Sequence, residues 1–160
     1  MIHWISWLLL WPGAAGNIVG LRDTSGPRPA PTFQQYPAAV GYAGPHVQPR
    51  ITKNSPAWRF RTRIQRAARL QPNFAGHYVL TTWGCGSECL RYAIVDVRNG
   101  AVYFDDVSVT WWGASAPENF TPIDFRVNSR LVVVTGVLGE ENANTRYYFR
   151  FSRGRLLAIR

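Results

Sequence analysis

The segment at residues 83–89, Trp-Gly-Cys-Gly-Ser-Glu-Cys, constrains this chain more than any other, because it holds both of its cysteines. Cys85 and Cys89 flank three residues, and Gly84 and Gly86 supply the unusual backbone angles that a tight turn requires. Such a turn brings two Cα atoms within the ~4.4–6.8 Å that a disulfide spans. Closing so small a ring contributes only about 2 kcal/mol through loop entropy. We therefore predict a disulfide that fixes the shape of a local surface more than it holds the fold together.

The residues on both sides of this turn predict two antiparallel β-strands, at 77–83 and 90–97. Asn99-Gly100 is a strong hairpin signal and reverses the chain into a third strand at 101–104. A long connection is expected from residue 105 to residue 122. Alternating or apolar segments after it predict four more strands, at 123–127, 131–138, 146–151 and 155–159.

Ser55-Pro56 predicts the start of a helix that runs to Arg69, with the hydroxyl as N-cap and proline at the first helical position. Its apolar residues share one side of a helical wheel, and three arginines lie opposite. One helix followed by about seven meandering strands predicts an α+β fold, in which an N-terminal amphipathic helix packs on a curled antiparallel sheet. Residues 55–160 would form this single domain. The arginine stripe of the helix consists of Arg59, Arg63 and Arg66.

The positive charge is concentrated in the N-terminal half of the chain. The formal net charge is +9, and no acidic residue lies between Asp23 and Glu88. This distribution predicts a basic face rather than a uniformly basic protein. The arginine stripe is either a solvated helix face or a contact for an anionic surface, such as a cell-envelope polymer, a lipid headgroup layer or an acidic protein. Nucleic acid is disfavoured, because no recognised binding motif accompanies the arginines.

The first fifteen residues are uncharged, and their apolar run at 5–11 is too short for the ~20 residues of a membrane-spanning helix. Small residues follow, and Gly13 and Ala15 suit signal-peptide cleavage after residue 15. We therefore expect a signal peptide at 1–15, no transmembrane span, and a periplasmic or secreted location. The alternative is an apolar segment that packs on the domain, since no Lys or Arg precedes the run. Residues 16–54 contain six prolines and predict a linker or an extended arm.

Short blocks along the chain share a pattern with a known group of proteins. They are Phe-Arg-Thr-Arg-Ile at 60–64, Asn-Phe-Ala-Gly-His-Tyr at 73–78, Trp-Gly-Cys-Gly at 83–86 with Cys89, Ile-Val-Asp at 94–96 and Asn-Gly at 99–100. With these blocks, residues 58–160 resemble a family of small exported bacterial proteins of unknown function. The resemblance implies an exported single domain with this hairpin at its centre, and it implies no reaction.

A thiol enzyme is one alternative to a binding domain. A cysteine nucleophile needs a base within ~2.6–3.2 Å, but eight residues of extended chain separate His77 from Cys85 by about 26 Å. Only a sharp bend, or His46 folding back from the arm, would bring an imidazole to the thiol. The same three residues, together with Cys89, are too scattered for a structural zinc site, and redox motifs have two residues between their cysteines. We expect no metal and no cofactor, and we interpret His77 as a strand-end histidine.

A carboxylate site is the other catalytic alternative. Asp105-Asp106 follows a strand and would meet Glu88 or Asp124 across the sheet. Acidic turns are common, so we interpret the pair as a turn. No catalytic residue is assigned.

The sequence thus favours an exported, non-catalytic binding or inhibitor-like domain that presents a disulfide-closed hairpin tip. Its partner would be a cell-envelope protein or an anionic envelope polymer. The alternative is a cell-envelope enzyme with a Cys/His or carboxylate site. The predicted contact surface consists of His77, Trp83, Gly84, Gly86, Ser87, Glu88, Trp111 and Trp112.

Overall fold

The computed structural model describes residues 29–39, 41–111, 120–138 and 145–159. Its main element is an antiparallel sheet of eight strands. The predicted signal peptide at 1–15 lies outside the described residues. Within the described ranges, no helix has the length and apolar character needed to span a membrane. The strands are β1 (Tyr78–Gly86), β2 (Cys89–Asp96), β3 (Val102–Tyr103), β4 (Val109–Thr110), β5 (Ile123–Phe125), β6 (Leu131–Leu138), β7 (Thr145–Ser152) and β8 (Arg155–Ala158).

The strand order is β1-β2-β4-β6-β7-β8, with β3 paired to β2 and β5 paired to β6. The two-residue strand β4 joins the two halves of the sheet. Val109 is the register partner of Leu90 in β2 on one side and of Leu138 in β6 on the other. The sheet therefore consists of a β1–β3 half and a β5–β8 half that meet at β4.

The main core lies where these two halves face each other. Leu80 and Ile94 come from the first half, Val132 and Phe151 come from the second, and Phe74 lies between them. Side chains alternate along β1, so Val79 and Trp83 face the opposite side. A helical segment covers that side, and β2 is therefore buried on both faces from Tyr92 to Asp96.

The helical segment has two parts, a 3₁₀ helix at Pro56–Phe60 and an α-helix, α1, at Arg61–Ala67. Ile64 of α1 is fully buried and packs with Trp83 and Val95. The Ser55 side chain accepts no capping hydrogen bond from this segment, and its hydroxyl donates to the Thr52 carbonyl at 2.8 Å. The segment begins with a 3₁₀ turn, and only seven of its residues are α-helical.

The predicted fold class, a long N-terminal amphipathic helix on about seven meandering strands, is therefore wrong. The described residues form mostly an antiparallel sheet of eight strands with one short helix at 56–67, besides a 3₁₀ turn at Phe33–Gln35. The unpredicted strand is β4, which lies in the stretch expected to be a connection. Because β4 stands between β2 and β6, the strand order is no simple meander.

From Pro31, where the compact unit begins, the described part of the arm docks on the sheet through backbone hydrogen bonds. The Ala38 amide donates to the Asn128 carbonyl at 2.9 Å, and the Arg50 amide donates to the Gly100 carbonyl at 2.7 Å. Gly100 has φ +71°, and a Cβ there would lie 2.2 Å from the Gln48 carbonyl oxygen. The close approach of the arm therefore requires glycine at this position.

Candidate functional site

The hairpin tip lies at the free end of β1 and β2. Ser87 and Glu88 form a two-residue turn between the paired residues Gly86 and Cys89. The predicted disulfide between Cys85 and Cys89 is confirmed, with their Cα atoms 5.2 Å apart. Residues 84–88 are all exposed. The tip therefore presents a closed ring of chain to solvent.

An irregularity in the strand pairing positions the first cysteine. The register shifts between Gly84 and Gly86, so Cys85 is an extra residue in β1. Such a bulge bends the strand locally and turns its side chain out of the regular alternation. Gly86 has φ +150° and Glu88 has φ +50°, conformations that L-residues rarely adopt. The disulfide closes the ring across this irregular backbone.

Strand β4 supports the tip from the side opposite β1. The Trp111 amide, just after β4, donates a hydrogen bond to the Glu88 carbonyl at 3.1 Å. The half-buried Trp111 ring contacts Phe120, with centroids 5.9 Å apart. The structure thus places Trp111 beside the tip, whereas Trp112 lies outside the described residues. We call Cys85, Gly86, Ser87, Glu88 and Trp111 the tip surface.

Trp83 is not part of the tip surface, although it is only two residues from Cys85. Its side chain is 6% exposed. The indole packs against Phe60 and Phe104, with ring centroids 5.0 and 5.9 Å away. Trp83 therefore anchors β1 to the helical segment, and its ring is not available to a partner.

His77 lies at the opposite end of β1, just before Tyr78. Its Nε2 atom is 3.6 Å from Oδ2 of Asp96, which is 2% exposed. Burial lowers the pKa of His77, the nearby Arg98 and Arg130 lower it further, and Asp96 opposes them. This lowered pKa favours the neutral imidazole near pH 7. The strand carries His77 away from Cys85, so the two do not form a catalytic pair.

Asp96 holds the turn that follows β2. Its carboxylate accepts hydrogen bonds from the Arg98 amide at 3.0 Å and from the Asn99 side chain at 3.2 Å. The Arg98 guanidinium adds an ion pair at 3.3 Å, and this hydrogen-bonded contact raises the pKa of Arg98. Sequence reasoning identified only the Asn99-Gly100 hairpin here. The Asp at the start of the turn was the available signal, since Asp side chains commonly bond the backbone two residues ahead.

The remaining candidates for catalysis are engaged elsewhere. Both cysteines are in the disulfide, so neither sulfur is a nucleophile or a metal ligand while that bond is closed. The His46 Nδ1 donates to the Ala68 carbonyl at 2.9 Å. Asp106 pairs with Arg91, and Asp124 is an exposed residue of β5. Burial, with a smaller contribution from Asp105, raises the pKa of Tyr92 to about 12.

The predicted basic face lies on the helical segment, where Arg59, Arg63 and Arg66 are all exposed. Among the described residues, none of these arginines forms an ion pair. Arg63 and Arg66 line a groove of about 160 Å³ together with Thr81 and Thr82 of β1. The groove thus places positive charge next to the outer edge of the sheet.

A larger cavity of about 510 Å³ lies between the arm and the end of the helical segment. Tyr42, His46 and Gln48 line it from the arm, and Arg69 and Gln71 line it from the other side. Sequence reasoning missed this cavity because it depends on where the arm docks, and no local pattern in the arm indicates that position.

No protein-family model, curated protein or solved structure matches this chain. The function therefore has to be argued from the geometry of the molecule itself.

Proposed function

We propose that this chain is an exported, non-catalytic binding domain that presents its tip surface to a cell-envelope protein, as an inhibitor-like module does. A small β-rich unit with a disulfide is compatible with an exported domain, because disulfides persist in oxidising compartments. The shared blocks at 73–78 and 83–89 support a place in the family of small exported bacterial proteins, which is part of the same proposal.

One observation carries the proposal: the tip is exposed and yet held from both sides. The disulfide ties Cys85 to Cys89 within the hairpin, and the Trp111 amide holds the Glu88 carbonyl from β4. A loop that is already ordered loses little conformational entropy when it binds. The tip is therefore suited to bind a partner without first folding onto it.

The chemistry of the tip surface indicates the kind of partner. Glu88 contributes a carboxylate, Ser87 a hydroxyl and Trp111 an indole, and they lie around a rigid ring. Trp is among the residue types that most often dominate protein–protein binding energy. A cleft of an envelope protein that contains basic or polar groups would match this surface.

Photocross-linking tests the proposal with the full chain. A photoreactive amino acid replaces Ser87, and a matched control places it at Arg153, in the turn between β7 and β8. We expect a defined cross-linked product with envelope protein from position 87 and none from position 153. The product should disappear when Cys85→Ser and Cys89→Ser are added. Equal products from both positions, or a product that does not depend on the cysteines, would contradict the proposal.

A thiol count under denaturing, non-reducing conditions tests the exported state separately. Protein recovered from the periplasm or medium should have no free thiol, because both cysteines are in the disulfide. Two free thiols would favour the alternative of an envelope enzyme that uses Cys85.

A further inference from the structure

The outer edge of β1 differs from its inner edge, which pairs with β2. Within the described ranges, no other strand pairs with the outer edge. In an antiparallel pair, every second residue points its N–H and C=O away from the neighbouring strand. Tyr78 is one of these residues, because its amide donates to the Phe74 carbonyl at 3.0 Å and its carbonyl accepts from the Asn73 amide at 3.0 Å. The outward series therefore runs through Tyr78, Leu80, Thr82 and Gly84.

The Asn73 side chain covers this edge at Leu80. The Leu80 amide donates to Oδ1 of Asn73 at 2.8 Å, and Nδ2 of Asn73 donates to the Leu80 carbonyl at 3.0 Å. One amide side chain thus satisfies both backbone groups, as a neighbouring strand would. The cover ends at Leu80.

The next two outward residues are Thr82 and Gly84. Both are exposed. In the described part of the chain, neither takes part in a backbone hydrogen bond outside the β1–β2 ladder. A Cβ at Gly84 would come no nearer than 4.0 Å to any described atom beyond its chain neighbours, so the face of the sheet is also open at this position. The edge therefore offers two N–H and two C=O groups to another chain.

Positive charge lies beside this edge at Thr82. Arg63 and Arg66 line the groove of about 160 Å³ that Thr82 also lines. Neither arginine is in an ion pair with another described residue. The chain has no acidic residue from position 24 to position 87 that would neutralise them. A ligand on this edge would gain most from negative charge.

We infer that the edge of β1 at Thr82 and Gly84 binds an extended acidic peptide segment as an added strand. Its backbone would pair with the four outward groups, and its carboxylates would meet Arg63 and Arg66. Addition of a peptide strand to an exposed sheet edge is a common mode of recognition, in which backbone hydrogen bonds provide affinity and side chains provide specificity. This edge is separate from the tip surface, and peptide binding there does not require a partner at the tip.

The same observations disfavour two other occupants. An anionic polymer without peptide bonds would meet the arginines but leave the alternating backbone donors and acceptors unmatched. A second copy, paired edge to edge, would bring two sets of Arg63 and Arg66 together, and such like charges repel. An acidic peptide satisfies both the backbone groups and the charge.

Binding of a defined peptide to the full chain tests the inference. The probe is an acetylated, amidated hexapeptide of alternating Val and Glu, and its matched control has the same sequence with N-methyl groups on the four central residues. We expect the probe to slow hydrogen exchange of the Thr82 and Gly84 amides, and the control to bind at least about tenfold more weakly. Equal affinities would show that only charge is recognised and would overturn the inference, as would no binding of the probe at millimolar concentration.

Matched variants separate the backbone contribution from the charge contribution. Thr82→Pro removes an outward N–H, and Thr82→Val retains it, so only the proline variant should weaken binding, by about fivefold or more. Replacing Arg63 and Arg66 with Ala should weaken binding by about tenfold at low salt, and Arg59→Ala should not, because Arg59 does not line the groove. If Thr82→Pro does not fold, the difference in affinity between the probe and its N-methylated control measures the backbone contribution instead.

The oligomeric state provides an independent check. Sedimentation of the wild-type chain should show no self-association through this edge. A dimer that Thr82→Pro abolishes, while Thr82→Val retains it, would put a second copy on the edge and overturn the inference. Loss of the Ser87 cross-link would affect the proposed function alone, because the peptide experiment does not involve the tip surface.

Discussion

The hairpins β1–β2 and β7–β8 both end in two-residue turns, but they close those turns differently. In β7–β8, the turn residues Arg153 and Gly154 have φ +49° and +79°, the pattern of a turn whose twist matches the strands. In β1–β2, only Glu88 of the two turn residues has a positive φ. The β1–β2 turn therefore matches the twist of its strands less well than the β7–β8 turn does. The disulfide is in this same β1–β2 hairpin.

The two turns also differ in their surroundings. A Cβ on Gly154 would lie 2.1 Å from the Tyr103 ring, whereas a Cβ on Gly86 would meet no described atom within 4 Å. The β7–β8 turn rests on the body of the protein, and the β1–β2 turn projects from it. The β7–β8 turn takes its shape from the residues it packs on, whereas the projecting turn depends on its own covalent bond and on one hydrogen bond from the Trp111 amide. A rigid, projecting turn is what a binding surface requires.

The largest expected effect is at the supported turn. Gly154→Ala should lower the free energy of unfolding by about 2–3 kcal/mol, because the new Cβ meets the Tyr103 ring and the positive φ becomes strained. The matched variant Gly86→Ala should cost only about 1 kcal/mol, because its strain is not accompanied by a clash. Urea unfolding measures both values. Equal losses would contradict the difference between the turns.

The disulfide should have a moderate effect on stability. Replacing Cys85 and Cys89 with Ser should lower the free energy of unfolding by about 2 kcal/mol, the loop entropy of so short a ring. Chemical denaturation of the oxidised wild type and the double variant measures the difference. Failure of the double variant to fold would show that the disulfide holds the core together.

A small gain in the free energy of unfolding is expected when a residue better suited to a positive φ is placed in the projecting turn. Glu88→Asn should raise the free energy of unfolding by about 0.5 kcal/mol, because Asn adopts left-handed backbone angles more readily than Glu. Ser87→Asn is the control, since Ser87 does not have a positive φ. Thermal unfolding should show a rise of about 1–2 °C for the first variant alone. A similar rise for both variants would mean that backbone strain is not the cause.

The smallest expected effect depends on pH and acts at the opposite end of β1 from the tip. Burial lowers the pKa of His77, so the folded chain binds fewer protons than the unfolded chain. The resulting stability is fully present above the unfolded pKa of about 6.5 and is lost as pH falls through the folded value. His77→Gln should therefore lose less stability than wild type between pH 7.5 and pH 5. An NMR titration of the imidazole checks the direction, and a pKa above 6.5 would contradict it.

Local patterns predicted the parts of the fold that local chemistry determines. Alternation indicated β7, a continuous apolar run indicated β6, and the segments beside the cysteine turn indicated β1 and β2. The Cys85–Cys89 spacing indicated the disulfide. Strand β4 was missed because a two-residue strand has no periodicity of its own. It exists through its long-range partners, Leu90 in β2 and Leu138 in β6.

In the candidate site, too, local sequence patterns and long-range contacts determine different residues. Trp83 was grouped with the tip because it is close to Cys85 in sequence, but strand alternation and Phe60 place its ring in the core. Trp111 was predicted as part of the contact surface, and its hydrogen bond to Glu88, which places it beside the tip, depends on β4. The open edge at Thr82 was not identified, because it depends on the Asn73 side chain, which hydrogen-bonds the strand edge at Leu80 and leaves Thr82 open.

The central claim is that the disulfide shapes the projecting tip and not the body of the protein. Backbone amide chemical shifts of the full chain, measured before and after reduction, test it most directly. The account predicts that changes are confined to residues 84–90 and to Thr110 and Trp111, which pair with them. Changes that extend through β5–β8, or a loss of dispersion in the core signals, would contradict it.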